Sequence, residues 1–314
     1  MDVLLLLVGL VLILGGGNYL TDGASALAQR LRMPEFLIGM TIVAIGTSMP
    51  ELVVSVLSSM KGQPEMAIGN VVGSNTMNIC LILGLCAVVR PIALTRDNIR
   101  FDIPFTIAAS MLLILLALDT QVGTGFVNTI GRGDGILMVV LYIALMVFMI
   151  RHAERPEPKE GDEKMISLWL SLVMIVGGLG ALIYGGNLFL DSATNIALKL
   201  GVSESVIALT LVAGGTSLPE LAASLISLIK GKSDMALGNI LGSNIMNILG
   251  ILGISALIQP LPMGGILPRD LFVVLMTAVL VFLSAFTFRS RELDRAEGTI
   301  LLAVYAGYIY LLVA

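Results

Sequence analysis

Apolar runs separated by short polar connections dominate the chain. A hydrocarbon core about 30 Å thick takes roughly 20 apolar residues per helix. Ten runs of that order are present, near 3–21, 36–59, 66–89, 102–118, 134–150, 166–190, 204–229, 235–258, 270–288 and 297–313. Two of them are interrupted by the same kind of phrase, "GTSMPE" at 46–51 and "GTSLPE" at 215–220. Pro50 has no N–H, and its ring clashes with the carbonyl four residues earlier, on Gly46; Pro219 does the same to Gly215. Helix breaks are therefore expected around 44–50 and 213–219. The carbonyls so freed lie at membrane depth, where unsatisfied backbone is tolerated only in a polar cavity.

The two phrases belong to a longer repeat. Shifting the sequence by 169 residues aligns Thr47 with Thr216, Pro50 with Pro219, Glu51 with Glu220, Ser74 with Ser243 and Asn78 with Asn247, without a gap. Between 38–91 and 207–260, 29 of 54 residues are identical, and the same offset pairs Asn18 with Asn187 and Asp22 with Asp191. Each half holds five helices, an odd number, so the second half must be inverted relative to the first. Inverted repeats place a substrate site near the midplane, between interrupted helices of the two halves. The expected fold is an all-α membrane protein of ten transmembrane helices. Residues 1–150 form the first five-helix repeat and 166–314 the second, inverted one, joined by a charged linker at 151–165, "RHAERPEPKEGDEKM".

Composition agrees: 57% of the 314 residues are hydrophobic, 13% are charged and the mean hydropathy is +0.98. The net charge of −4 hides an asymmetry between alternate loops. One set carries Arg30, Arg32, Arg90, Arg96, Arg100, Arg151, Arg155, Lys159, Lys164, Lys230, Lys232, Arg289, Arg291 and Arg295; the other carries only Lys61, Arg132, Lys199 and Arg269. By the positive-inside rule the first set faces the cytoplasm and both termini face out. These cations form no patch that could follow nucleic acid. Cys80 and Cys86 share one apolar run and read as small buried hydrophobes, and the run from Val3 reads as a retained first helix.

The candidate chemistry lies at the breaks and in the runs after them. Thr47, Ser48, Thr216 and Ser217 offer hydroxyls, and Glu51 and Glu220 offer carboxylates, which at a helix centre need a cation or a proton to offset them. In "GNVVGSNTMN" (69–78) and "GNILGSNIMN" (238–247), spacing of four puts Asn70, Ser74 and Asn78 on one stripe and Asn239, Ser243 and Asn247 on its counterpart. The glycines of both stretches read as close-packing positions. The donors are all oxygens, with no His or Cys on the motifs, which suits a hard cation. Calcium takes about 6–8 oxygens in flexible geometry, and two carboxylates balance one Ca²⁺ or could share Na⁺ ions bound among the neutral oxygens. Asp22 and Asp191 lie near helix ends and read as interface caps. His152 and the 151–165 charges read as solvated, and Trp169, Tyr305, Tyr308 and Tyr310 as interfacial or packing aromatics.

The paired "GTSxPE" and "GNxxGSNxMN" phrases closely resemble the α-repeats of the cation/calcium antiporter superfamily, in its prokaryotic calcium/sodium antiporter branch, along essentially the whole chain. The resemblance implies exchange of Na⁺ for Ca²⁺ by alternating access in a prokaryotic cell membrane. The first helix of each half would move across a comparatively fixed site. It implies direct Ca²⁺ ligation by Glu51 and Glu220 with the backbone carbonyls of Thr47 and Thr216. Flanking Na⁺ sites would use Ala44, Thr47, Ser48 and Ser74 on one side and Ala213, Thr216, Ser217 and Ser243 on the other, with Asn78 and Asn247 in the middle. Ca²⁺ and Na⁺ are then the substrates, the bilayer is the surroundings, and no cofactor or obligate protein partner is called for. Some relatives carry Asp where this chain has Asn247, which leaves stoichiometry and a potassium requirement open, and Gly214 stands where the first repeat has Ile45. The superfamily's Ca²⁺/H⁺ exchangers tend to "GNAxE" at the first motif. A Ca²⁺/H⁺ antiporter and a K⁺-dependent antiporter are the alternatives; a channel fits the inverted repeat less well, and no nucleophile with a base is visible for an enzyme.

Overall fold

The computed structural model describes residues 1–118, 128–153, 166–200, 215–287 and 291–313. Its helices are α1 (Asp2–Leu31), α2 (Glu35–Thr47), α3 (Met49–Met60), α4 (Pro64–Val89), α5 (Asn98–Ala117), α6 (Arg132–His152), α7 (Leu168–Lys199), α8 (Leu218–Ile229), α9 (Ser233–Ile258), α10 (Pro268–Ser284) and α11 (Arg295–Val313). Six of them, α1, α4, α5, α6, α7 and α9, are long and apolar enough to cross a membrane, and α2 with α3, bent by 46° at Ser48, makes a seventh. Helices α8, α10 and α11 fall on three further predicted runs. Part of the seventh run, including Ala213 and Gly214, and most of the 151–165 linker lie outside the described residues.

The first helix of each half is longer than its apolar run predicts. Helix α1 continues to Leu31 instead of stopping at 21, and α7 to Lys199 instead of 190. Hydropathy falls at Asp22 and Asp191, but the following alanines, leucines, Gln29 and Lys199 remain good helix formers, so the backbone continues past the apolar stretch.

Helices α4 and α9 form the centre. In their most apolar stretch 78% and 89% of residues are buried, against 17% to 33% for the other four long helices. The fourth helices, α5 and α10, pack on one another, and the fifth helix of each half packs on the third helix of the other half. Helix α11 meets α4 at Gly298 and Gly84, and α6 meets α9 at Gly135 and Gly253, where backbones touch. Two short antiparallel ribbons clasp the halves together. Strand β1 (Ile92–Ala93) pairs with β4 (Glu292–Leu293), and β2 (Thr129–Ile130) with β3 (Leu261–Pro262). Strands β1 and β3 are repeat-related, so each half contributes the same segment to one ribbon.

Helices α1 and α7 run antiparallel against each other. A Cβ on Gly9 would lie 2.9 Å from the Gly185 carbonyl oxygen, and one on Gly16 would lie 2.8 Å from that of Gly178. Gly9 is the repeat counterpart of Gly178 and Gly16 that of Gly185, so the pseudo-twofold axis passes between these contacts. Small residues at such a seam let backbones approach within van der Waals distance.

The ends of this pair are tied differently. Lys230 Nζ lies 2.7 Å from Asp22 Oδ1 and donates to the Asn18 carbonyl at 3.2 Å, while Lys232 reaches Glu35 at 2.5 Å and Ser25 donates to the same Glu35 oxygen at 2.6 Å. Asp22 therefore holds an ion pair to the end of α8 and does not serve as a cap. Repeat symmetry assigns Lys61 and Asp191 to the corresponding pair, yet among the described residues neither forms one.

Candidate ion-binding site

The serines that precede the two glutamate-bearing helices have the same backbone form. Ser48, between α2 and α3, sits at φ −81°, ψ 7°, and its counterpart Ser217, before α8, at φ −91°, ψ 9°. Pro50 and Pro219 stand in the first turn of the helix that follows, where a missing N–H costs nothing. The next residue in each case is the glutamate, so α3 and α8 carry Glu51 and Glu220 in their first turns, both fully buried. At the break the C-terminal end of α2, which favours cations, meets the N-terminal end of α3, which favours the Glu51 carboxylate.

Each glutamate is held by the other half. Ser217 Oγ donates to Glu51 Oε1 at 3.1 Å, and Ser48 Oγ donates to Glu220 Oε1 at 2.9 Å. Thr47 crosses the interface too, its hydroxyl lying 3.1 Å from Asn239 Oδ1. Thr216, half-buried, faces Glu51 without a well-formed hydrogen bond. Asn70 brings α4 to α3 by donating to the Glu51 carbonyl at 3.2 Å and to Ser55 Oγ at 3.0 Å. Asn239 repeats the arrangement with the Glu220 carbonyl at 3.5 Å and Ser224 Oγ at 2.9 Å. The amide ends of Asn70 and Asn239 are thus spent on bracing the glutamate-bearing helices.

What remains unspent is informative. Glu51 Oε2, Glu220 Oε2, Ser74 Oγ, Ser243 Oγ, Asn78 Oδ1 and Asn247 Oδ1 are buried oxygens that make no hydrogen bond among the described residues. They are three repeat-related pairs, and all six residues belong to the set expected from the sequence. Buried polar atoms are nearly always partnered, because leaving one bare costs about 1–3 kcal/mol and more for a charge. Thr216, Asn244, Tyr142, Ser255 and Asp270 also carry a buried side-chain atom without a hydrogen bond among the described residues; the repeat counterparts of the last three, Leu311, Cys86 and Phe101, are apolar. Carboxylate, hydroxyl and amide oxygens without other partners are the donor types a hard cation takes.

Of the remaining expected positions, Ala44 is buried and its carbonyl already accepts from Ser48 N at 3.0 Å and from Thr47 Oγ1 at 3.3 Å. Ala213 lies outside the described residues. Asn78 and Asn247 stand in π-helical stretches, Met77–Leu83 and Met246–Leu252, which widen α4 and α9 at repeat-related points. Such bulges are common at functional sites, and these change the register that a uniform spacing of four assumes. Two further residues, Asn75 and Asn244, are drawn in: Asn247 Nδ2 donates to Asn75 Oδ1 at 3.1 Å and Asn78 Nδ2 to Asn244 Oδ1 at 3.4 Å. Both stand in the quoted motifs but off the stripe that a spacing of four selects.

A multi-pass bundle of two inverted halves, with buried, unpartnered oxygens at repeat-related positions of both, has the architecture of a secondary transporter for cations. The chain belongs to the sodium/calcium exchanger protein family, whose profile matches residues 1–151 and 170–314. It is similar to the putative antiporter CaxA of Alkalimonas amylolytica, at 38% identity over 98% of this chain and 97% of that one. It is 31% identical to the sodium/calcium exchanger MaX1 of Methanosarcina acetivorans, covering 98% and 97% of the two chains. Among solved structures it resembles the sodium-calcium exchanger NCX_Mj soaked with Na⁺ and without Ca²⁺, with a TM-score of 0.85, 32% identity and coverage of 98% of both chains.

Proposed function

We propose that this protein exchanges Na⁺ for Ca²⁺ across the membrane by alternating access, at a site shared by both ions between α2, α3, α8, α4 and α9. The observation that carries this reading is the set of unpartnered oxygens on Glu51, Glu220, Ser74, Ser243, Asn78 and Asn247. Ca²⁺ is balanced by the two carboxylates. Na⁺ sites flank it, with Thr47, Ser48, Ser74 and, once Thr47 Oγ1 releases it, the Ala44 carbonyl on one side and Thr216, Ser217, Ser243 and Ala213 on the other. The halves 1–150 and 166–314 act as the two inverted units, and α1 with α7 slides over the site. The loop charges support a cytoplasmic face bearing Lys230 and Lys232, with both termini outside. If three Na⁺ exchange for one Ca²⁺, one charge crosses per cycle, worth about 2.3 kcal/mol per 100 mV, and an inside-negative cell drives calcium out.

The test is Ca²⁺ uptake into proteoliposomes loaded with Na⁺, K⁺ or neither, with and without an imposed proton gradient, for the wild type and for Glu51→Gln and Glu220→Gln. Uptake that needs an outward Na⁺ gradient alone, and disappears in both variants, is expected. Uptake driven by protons without Na⁺ replaces the coupling ion, and a joint demand for K⁺ points to the K⁺-dependent scheme.

A further inference from the structure

A primary amide has an oxygen end and an NH₂ end of nearly equal shape, so something must decide which end of Asn78 and Asn247 faces the ions. We propose that Asn75 and Asn244 are positioning residues that make this choice, and that Asn75 does so for Asn247 through a backbone anchor. The proposal rests on the reading that the amide oxygens of Asn78 and Asn247 are ion ligands.

The anchor is the Asn244 carbonyl, which can only accept. Asn75 Nδ2 donates to it at 3.4 Å, so the NH₂ end of Asn75 is committed there and its Oδ1 points the other way. That Oδ1 accepts from Asn247 Nδ2 at 3.1 Å, which commits the NH₂ end of Asn247 in turn. Asn247 Oδ1 is left at the opposite end, buried and without a hydrogen-bond partner among the described residues. Reversing Asn247 alone would set two amide oxygens against each other with no hydrogen between them. Reversing Asn75 as well would set its oxygen against the Asn244 carbonyl. Either reversal leaves a buried acceptor facing an acceptor.

The repeat-related half of the network lacks the anchor. Asn78 Nδ2 donates to Asn244 Oδ1 at 3.4 Å, which frees Asn78 Oδ1, but Asn244 Nδ2 itself has no acceptor among the described residues. Asn244 can therefore orient Asn78 only as firmly as its own amide is held. The carbonyl at position 247 is the fixed one of the pair, and that at 78 the adjustable one. Neither Asn75 nor Asn244 touches the ions in this scheme; each acts through the amide it holds.

A carboxylate at 247 presents oxygen at both ends and needs no such choice, which separates positioning from general structural support. The experiment is a double-mutant cycle between Asn75→Leu and Asn247→Asp, with Asn247→Ala alongside. It is read as the half-saturating Ca²⁺ concentration of Na⁺-driven uptake and, independently of transport, as the Ca²⁺-dependent shift in melting temperature. Asn75→Leu is expected to weaken Ca²⁺ about tenfold or more in the wild-type background, as loss of a ligand's supporting hydrogen bond commonly does. The same substitution in the N247D background should bring no loss, because there Asn75 Oδ1 faces a carboxylate oxygen and supports it with no hydrogen bond. An equal loss in both backgrounds, or no loss in either, overturns the proposal. No effect of Asn247→Ala on Ca²⁺ would instead show that 247 is no ligand, a failure of the underlying site reading that is told apart by that variant alone. If Asn75→Leu does not fold, Asn75→Ser, too short to reach the Asn244 carbonyl, is read by the same comparison.

Discussion

The unequal ion pairs at the two ends of α1 and α7 make a prediction whose sign reverses between repeat-related residues. Lys230 and Asp22 are paired at 2.7 Å, whereas the repeat-related Lys61 and Asp191 are not. In an inverted repeat the two access states exchange the conformations of the halves. The closed pair should therefore open, and the open one close, when access switches. The side chains of Lys230 and Asp22 are 27% and 52% exposed, so solvent screening limits the pair to about 1 kcal/mol or less. That corresponds to a change of up to about fivefold in the ratio of the two states. Asp22→Asn should thus lower the half-saturating Ca²⁺ concentration on the Lys230 face relative to the Lys61 face by about two- to fivefold. Asp191→Asn should move the same ratio in the opposite direction. Both effects should shrink as salt rises. The assay is Ca²⁺ half-saturation measured separately from each face in proteoliposomes of defined orientation. Shifts of the same sign from both substitutions, or none from either at low ionic strength, would refute the reasoning.

Other outcomes follow from the same geometry. Ser48→Ala and Ser217→Ala each remove one hydroxyl from a buried carboxylate of the opposite half, and should weaken Ca²⁺ binding by about ten- to a hundredfold, to a similar extent for the pair, as read by titration calorimetry. Gly16→Ala would place a Cβ 2.8 Å from the Gly178 carbonyl oxygen and the Leu182 nitrogen, so α1 and α7 must separate. A cost of about 1–3 kcal/mol is expected, seen as a lower melting temperature with slower exchange. Gly15→Ala, whose Cβ meets no described residue, should be neutral or stabilising by up to about 1 kcal/mol in the same melts.

How much of this was legible depends on what kind of signal each feature leaves. The apolar runs are legible because the bilayer demands length and hydropathy, and the breaks because Pro50 and Pro219 forbid a continuous helix. The repeat is legible by identity, and with it the pairing of Glu51 with Glu220. The crossing of Ser48 to Glu220 and of Ser217 to Glu51 is not, since it depends on how the halves close on each other. A stripe at a spacing of four selects Ser74 and Ser243 and passes over Asn75 and Asn244, one position off it in the α-helical turn before the π-helical stretches at Met77 and Met246, which leave no mark in the sequence. The tails of α1 and α7 are not legible in hydropathy, which ends at Asp22 and Asp191 while helix propensity continues. The ion pair of Asp22 required knowing that the end of α8 lies beside it.

The central claim is that one buried site, organised by Glu51 and Glu220, takes both ions in turn. The most direct measurement is equilibrium Ca²⁺ binding to the purified protein by calorimetry across a series of Na⁺ concentrations, for the wild type, Glu51→Gln and Glu220→Gln. The apparent Ca²⁺ dissociation constant should rise with Na⁺ more steeply than in proportion, as several Na⁺ displace one Ca²⁺, and Ca²⁺ binding should be lost in both variants. Ca²⁺ binding that is indifferent to Na⁺, or that survives in either variant, would contradict a shared paired-glutamate site.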